Sequence, residues 1–178
     1  MDTIILIAIP EEAPTELQHR DNVFFTGVGK VNAALRTAQL IEQYKPKCII
    51  NFGTAGGITV GTGLYQCTRF VQRDMNCKAL GFEAGQTPFE SAVAIGAEGI
   101  TCSTGDNFVS DPVLEIPADL VDMEAYAIAK ACQYSQIEFI CFKYITDSAD
   151  SNAIADWKHT VSLGEKYYIN TLKELSIY

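Results

Sequence analysis

Three runs of apolar residues constrain this chain more than anything else in it. Thr3 to Ile9 and Cys48 to Phe52 carry apolar side chains at both odd and even positions, and Glu138 to Ile145 does so with Lys143 as its one interior charge. A strand with one wet face alternates polar and apolar residues. A strand that does not alternate is buried on both faces, as in sheets covered by helices on each side. Between these runs lie helical patterns. Val31, Leu35, Ala38 and Ile41 recur at helical spacing, which predicts an amphipathic helix over Lys30 to Tyr44, stopped before Pro46. Met123 to Tyr134 and Trp157 to Leu175 read as two more helices. Val23 to Thr26, Leu64 to Val71, Ala92 to Ile95 and Gly99 to Thr104 read as shorter strands. Asn76 to Glu90 has glycines, a proline and no period, and reads as a long functional loop. No linker or repeat interrupts the alternation. The expectation is one α/β domain over residues 1–178, with a central, largely parallel sheet between helices.

Composition narrows the partners. With 178 residues, 48% of them hydrophobic, the chain is long enough to bury a substantial core. Its net charge of -9 repels nucleic-acid phosphates and anionic membranes, so neither is expected as a partner and a small metabolite is. The N-terminal apolar run lacks a basic flank and is too short to span a bilayer. Six scattered cysteines without a CxxC pair read as small buried hydrophobes in a reducing cytoplasm. The two histidines, His19 and His159, have no close soft-ligand neighbours, and neither a metal nor a cofactor is expected.

Ligands of covered α/β sheets bind beyond the carboxyl ends of strands. Four unusual segments follow predicted strands: Pro10-Glu11-Glu12, Gly53 to Gly57, Gly105-Asp106-Asn107-Phe108 and Thr146-Asp147. Glu11, Glu12, Glu124 and Asp147 each have a bland reading as a solvated carboxylate or a helix-terminus charge. Their joint placement instead points to a carboxylate-lined pocket, with the amides of Gly53 to Gly57 able to approach a ligand closely. Gly27-Val28-Gly29-Lys30 is not a phosphate loop. The glycine that pattern needs five residues before its Gly-Lys pair is Phe24 here, and the hydroxyl that should follow is Val31. The dinucleotide fingerprint also fails, since its third glycine position is Asn32.

Five segments, in order, resemble motifs of the nucleoside phosphorylase/nucleosidase superfamily, and most of all its methylthioadenosine/S-adenosylhomocysteine nucleosidases. They are Gly27-Val28-Gly29-Lys30-Val31-Asn32-Ala33-Ala34, Asn51 to Gly57, Thr104 to Phe108, Val121 to Ala125 and Ile145-Thr146-Asp147. The resemblance spans nearly the whole chain. It implies a three-layer α/β/α sandwich around a mixed, largely parallel sheet, and hydrolysis of the N-glycosidic bond of a purine nucleoside. It makes Asp147 the general acid at purine N7, Glu12 the base for the attacking water, and Glu124 the carboxylate that grips the ribose. Met123 would pack on the sugar and Phe108 on the base. Thr54, Ala55, Gly56, Val109 and Asp122 would complete the substrate wall, with Trp157 on a covering segment. A homodimer is implied too, with its interface near the site and including Phe82 and Phe89.

The chemistry agrees with these roles. A purine anion is a poor leaving group, and protonation at N7 neutralises it. Carboxylates stabilise the oxocarbenium-like sugar that forms as the bond breaks. The chain also departs from the family. The segment between Glu12 and Val23 is short, the one between Phe89 and Gly99 lacks a helix, Lys143 replaces an arginine, and Asp122 replaces a glutamate. Two alternatives stand beside hydrolysis. One is phosphorolysis, with Arg36, Arg69 or Arg73 receiving phosphate. The other is a non-catalytic binding or storage role on the same fold.

Overall fold

The computed structural model describes residues 1–90, 92–110, 114–150, 153, 157 and 160–177. Its strands are β1 (Thr3–Ile7), β2 (Val23–Phe25), β3 (Cys48–Gly57), β4 (Leu64–Cys67), β5 (Arg69–Gln72), β6 (Ala94–Gly96), β7 (Thr101–Thr104), β8 (Leu120–Asp122) and β9 (Glu138–Asp147). The α-helices with assigned bounds are α1 (Thr15–Gln18), α2 (Lys30–Tyr44), α3 (Ala125–Ser135) and α4 (Glu165–Glu174). All nine strands join one sheet, in which β2, β1, β3 and β9 are mutually parallel. β8 joins β3 antiparallel, as β4 does β9 and β6 does β5, so the sheet is mixed.

The apolar runs feed both faces, as period-two geometry requires. Ile4, Leu6 and Ile49 pack with Ala33 and Leu40 of α2 and with Ile128 and Cys132 of α3. Ile5, Ile7, Ile50 and Phe52 point the other way, against Leu17 of α1 and Tyr168 and Leu172 of α4. The result is the expected three layers.

Some elements differ from expectation. β3 does not end at Phe52 but runs on through Gly57. Leu64 to Val71 divides into two strands with different partners, β4 on β9 and β5 on β7. The three-residue β8 had no signal of its own. The C-terminal helix is not continuous: a 3-10 turn at Val161–Gly164 precedes α4. Gly164 sits there because a Cβ would lie 2.8 Å from the Tyr168 hydroxyl and 3.0 Å from the Tyr144 Cβ. Trp157 is helical, while Lys158 and His159 of the same expected helix lie outside the described residues. The long loop is irregular apart from a 3-10 turn at Lys78–Leu80. No described helix is long and apolar enough to cross a membrane.

Candidate active site

The sheet leaves an opening in its own interior. β1 covers one edge of β3 from Cys48 to Asn51, and β8 rejoins that edge only at Gly56 and Gly57. Because β8 is antiparallel to β3, its carboxyl end converges on that of β1. Among the described residues the intervening edge has no strand partner, yet a buried backbone N–H must find an acceptor. The Thr54 N–H donates to Glu12 Oε1 at 2.8 Å, and the Thr54 hydroxyl donates to the same oxygen at 2.5 Å. Glu12 comes from the 3-10 turn Pro10–Glu12 that follows β1. Its Oε2 is buried and has no hydrogen-bond partner among the described residues. Over this opening lies a cavity of about 360 Å³.

Asp147 reaches the cavity through an irregularity in β9. Ala55 pairs with Ile145 but Gly56 pairs with Asp147, so Thr146 is an extra residue. Such a bulge re-aims the next side chain. The Thr146 hydroxyl donates to Asp147 Oδ2 and the Ala149 N–H to Oδ1, both at 2.9 Å. Gly56 makes room, since a Cβ there would lie 2.8 Å from Asp147 Oδ1.

Glu124 is the N-cap residue of α3. Its Oε1 accepts the Gly29 N–H at 2.9 Å. That N–H is presented by a backbone at φ 94°, a conformation that suits glycine. The Gly27 to Lys30 turn therefore holds a protein carboxylate rather than a phosphate. Its neighbour Lys30 donates its N–H to Asp106 Oδ1 at 2.7 Å, tying the start of α2 to the loop after β7. Burial and then the nearby Asp122 carboxylate push Glu124 up to about 7. Glu12, Glu124 and Asp147 are 5%, 7% and 9% exposed, so three carboxyl groups are buried around one cavity.

Beneath them lies a fourth carboxylate with a partner. Lys143 and Asp122, each 1% exposed in the side chain, form an ion pair at 2.8 Å. Burial alone would lower the Lys143 ammonium, but Asp122 overrides it and holds Lys143 well above its ordinary value. Asp122 is in turn held below the usual carboxylate range despite its burial. Asp122 lines the cavity, but not as a free ligand for substrate. Its Oδ1 takes the Thr104 hydroxyl, while Oδ2 takes Lys143 and caps α3 through the N–H groups of Glu124 and Ala125. Asp122 thus lines the cavity as expected and, through these contacts, fixes the helix start that carries Glu124.

The remaining wall holds Thr54, Ala55, Gly56, Phe108, Val109, Met123 and Trp157, so the structure brings together every residue the resemblance placed at this site. Val28 and Val121 add apolar surface. Glu11 does not line the cavity. Arg73, set aside above for phosphate, is not free for it. Its two terminal nitrogens donate to the carbonyls of Ser103, Asp122, Gly105 and Asn107 at 2.5–3.1 Å. Arg36 lies over the Phe24 ring and Arg69 sits in β5, both outside the cavity. Sequence reasoning missed the support given by Arg73, Thr104 and Gly29. A lone arginine just after a strand, and a lysine inside an apolar run, were the available signals. Among the described residues no cluster of His, Cys, Asp and Glu is arranged to hold a metal ion.

A family model described as the phosphorylase superfamily matches residues 15–170. The chain belongs to the phosphorylase superfamily. Within that superfamily it is 31% identical to the 5'-methylthioadenosine/S-adenosylhomocysteine nucleosidase of Haemophilus influenzae strain PittGG, over 79% of this chain and 74% of the relative. It is 34% identical to the enzyme of that name from Bacillus cereus strain B4264, over 74% of this chain and 70% of the relative. Solved structures share the fold. The futalosine hydrolase mutant of Helicobacter pylori strain 26695 superimposes with a TM-score of 0.83 at 22% identity, covering 92% of this chain and 93% of that one. The Streptococcus pneumoniae MTA/SAH nucleosidase in complex with 8-aminoadenine gives 0.79 at 21% identity, covering 90% and 92%. The three-layer architecture is thus that of this phosphorylase-superfamily fold.

Proposed function

We propose that this chain hydrolyses the N-glycosidic bond of a purine nucleoside, with adenine nucleosides such as 5'-methylthioadenosine or S-adenosylhomocysteine as the favoured class. The observation that carries this reading is the cavity itself. It holds three buried carboxyl groups from three strand ends, one of them with an unpartnered oxygen, against apolar walls sized for a base and a sugar. In this reading Asp147 delivers a proton to the leaving base at N7. Phe108 and Val109 border the base, and Met123 the sugar. Glu124 holds the ribose hydroxyls and, with Glu12, stabilises positive charge developing at C1′. Glu12 takes a proton from the water that captures C1′. Acid and base need different protonation states, and the differing contacts of Asp147 and Glu12 supply different surroundings.

Water rather than phosphate is the nucleophile. A phosphate dianion needs free cationic donors, and the one arginine on the cavity wall already serves four backbone carbonyls. No observation favours a storage role, which has no use for three buried carboxyl groups in one cavity. We further place the protein in the cytoplasm, consistent with six free cysteines, and as a homodimer, on surface features taken up below. Free base measured in phosphate-free buffer, then with phosphate added, tests the reaction. The panel spans methylthioadenosine, S-adenosylhomocysteine, deoxyadenosine and futalosine. Release without phosphate is expected, and a strict requirement for phosphate overturns the reading.

A further inference from the structure

Trp157 does more than wall the cavity. Its indole N–H donates to Thr54 Oγ1 at 3.0 Å. An indole N–H only donates and a carboxylate only accepts, so the chemistry fixes the direction of the chain. With one lone pair of Thr54 Oγ1 taken by Trp157, the hydroxyl proton turns to Glu12 Oε1, which also receives the Thr54 N–H. Among the described residues, Oε1 is thereby occupied by two donors and Oε2 by none. Resting on the hydrolytic reading above, we propose that Trp157 is a positioning residue for Glu12. Acting through Thr54, it commits Oε1 to the protein and leaves Oε2 as the oxygen that takes the proton from water. A phenylalanine fills the same space but cannot make this bond.

Several charged or titratable groups face Glu12. Gly53 has no side chain between it and the Lys143 ammonium of β9, where a Cβ would lie 2.9 Å from Nζ and 3.8 Å from Glu12 Oε1. Glu124 at the start of α3 and the Tyr168 hydroxyl of α4 are within electrostatic reach, and Glu11 adjoins it in the same turn. Against that background, the two Thr54 donors tell Oε1 from Oε2, and the indole fixes the direction of the hydroxyl one. Hydrogen bonds in such a chain polarise one another, so a change of charge on Glu12 is felt at the indole.

Trp157 is the sole tryptophan, which makes the free protein its own probe. Its emission is compared between the wild type and Glu12→Gln, Thr54→Val and Thr54→Ser at one pH. Thr54→Ser is expected to keep the wild-type emission maximum, while Thr54→Val and Glu12→Gln shift it. A wild-type maximum persisting in both Thr54→Val and Glu12→Gln overturns the relay. In a second arm, Trp157→Phe keeps the ring and removes the donor. Its kcat is expected to fall about 10-fold, the scale of one lost hydrogen bond, with KM within about 2-fold. A raised KM with unchanged kcat makes Trp157 a wall of the pocket only. If the wild type releases no base, the hydrolytic reading falls while the emission arm still decides the relay.

Discussion

Asp147 and Glu124 are both buried carboxyl groups at strand ends, yet their contacts differ. The partners of Asp147 include the Thr146 hydroxyl and the Ala149 backbone N–H. Replacing it with asparagine keeps an acceptor for Ala149 but removes the transferable proton. Asp147→Asn is expected to cut base release by about 10²–10⁴-fold, the usual contribution of a general acid, with little change in Tm. Steady-state assays and thermal melts check both. Glu124 carries a sign that pH reads. Its carboxyl holds a proton up to about 7 in the folded chain, against an ordinary value of 4.5. The folded state therefore binds more protons than the unfolded state between those values. This contribution to stability is complete below 4.5 and is lost as pH rises through 7. Denaturant titrations at several pH values should show that Glu124→Gln flattens stability across this window. The same variant should cost a ribonucleoside more than its 2′-deoxy counterpart, since the ribonucleoside loses the charge-assisted acceptor for both hydroxyls. Equal losses remove Glu124 from sugar recognition.

Among the elements, the apolar runs were legible because burial on both faces leaves no room for alternation. α2 was legible to the residue, because its period, a glycine before it and a proline after it agree. The glycine segment was read as the end of a strand. In the fold it is the continuation of β3, where missing side chains let Lys143 and Asp147 come close. A glycine run signals close approach in either case, and the sequence does not say whether the backbone there is turned or extended. β8 was illegible because three residues carry no periodicity; pairing to β3 and β7 defines it. The three carboxylates of the site were legible from their places after strands. What holds them was not, because Arg73, Thr104 and Asp122 act through contacts far apart in sequence. The Lys143–Asp122 pair gives this level its test. Lys143→Met strands a buried carboxylate at the start of α3, and breaking a buried pair in this way costs about 3–5 kcal/mol. Denaturant unfolding should show that loss, and Asp122→Asn added to it should recover part of the stability.

At the scale of the whole molecule, several large apolar side chains stand exposed. Phe89 is 95% exposed and Val31 76%, with Leu35 one turn further along α2 also exposed. Phe82 touches Phe89 edge-on at a ring separation of 5.4 Å, so the loop presents an aromatic pair rather than folding both rings into the core. Val28 is exposed as well and lines the cavity. Exposed apolar side chains of this kind are the surface on which the proposed homodimer would form. Light scattering at micromolar concentration should give twice the chain mass, and a monomeric mass contradicts the dimer. The catalytic account depends on where the new oxygen on the sugar comes from. The most direct measurement is turnover of an adenine nucleoside in ¹⁸O-enriched water, with phosphate present, followed by mass analysis of the sugar as it forms. The account requires free adenine and a free sugar carrying one solvent oxygen at C1′. A sugar 1-phosphate without solvent label would contradict it.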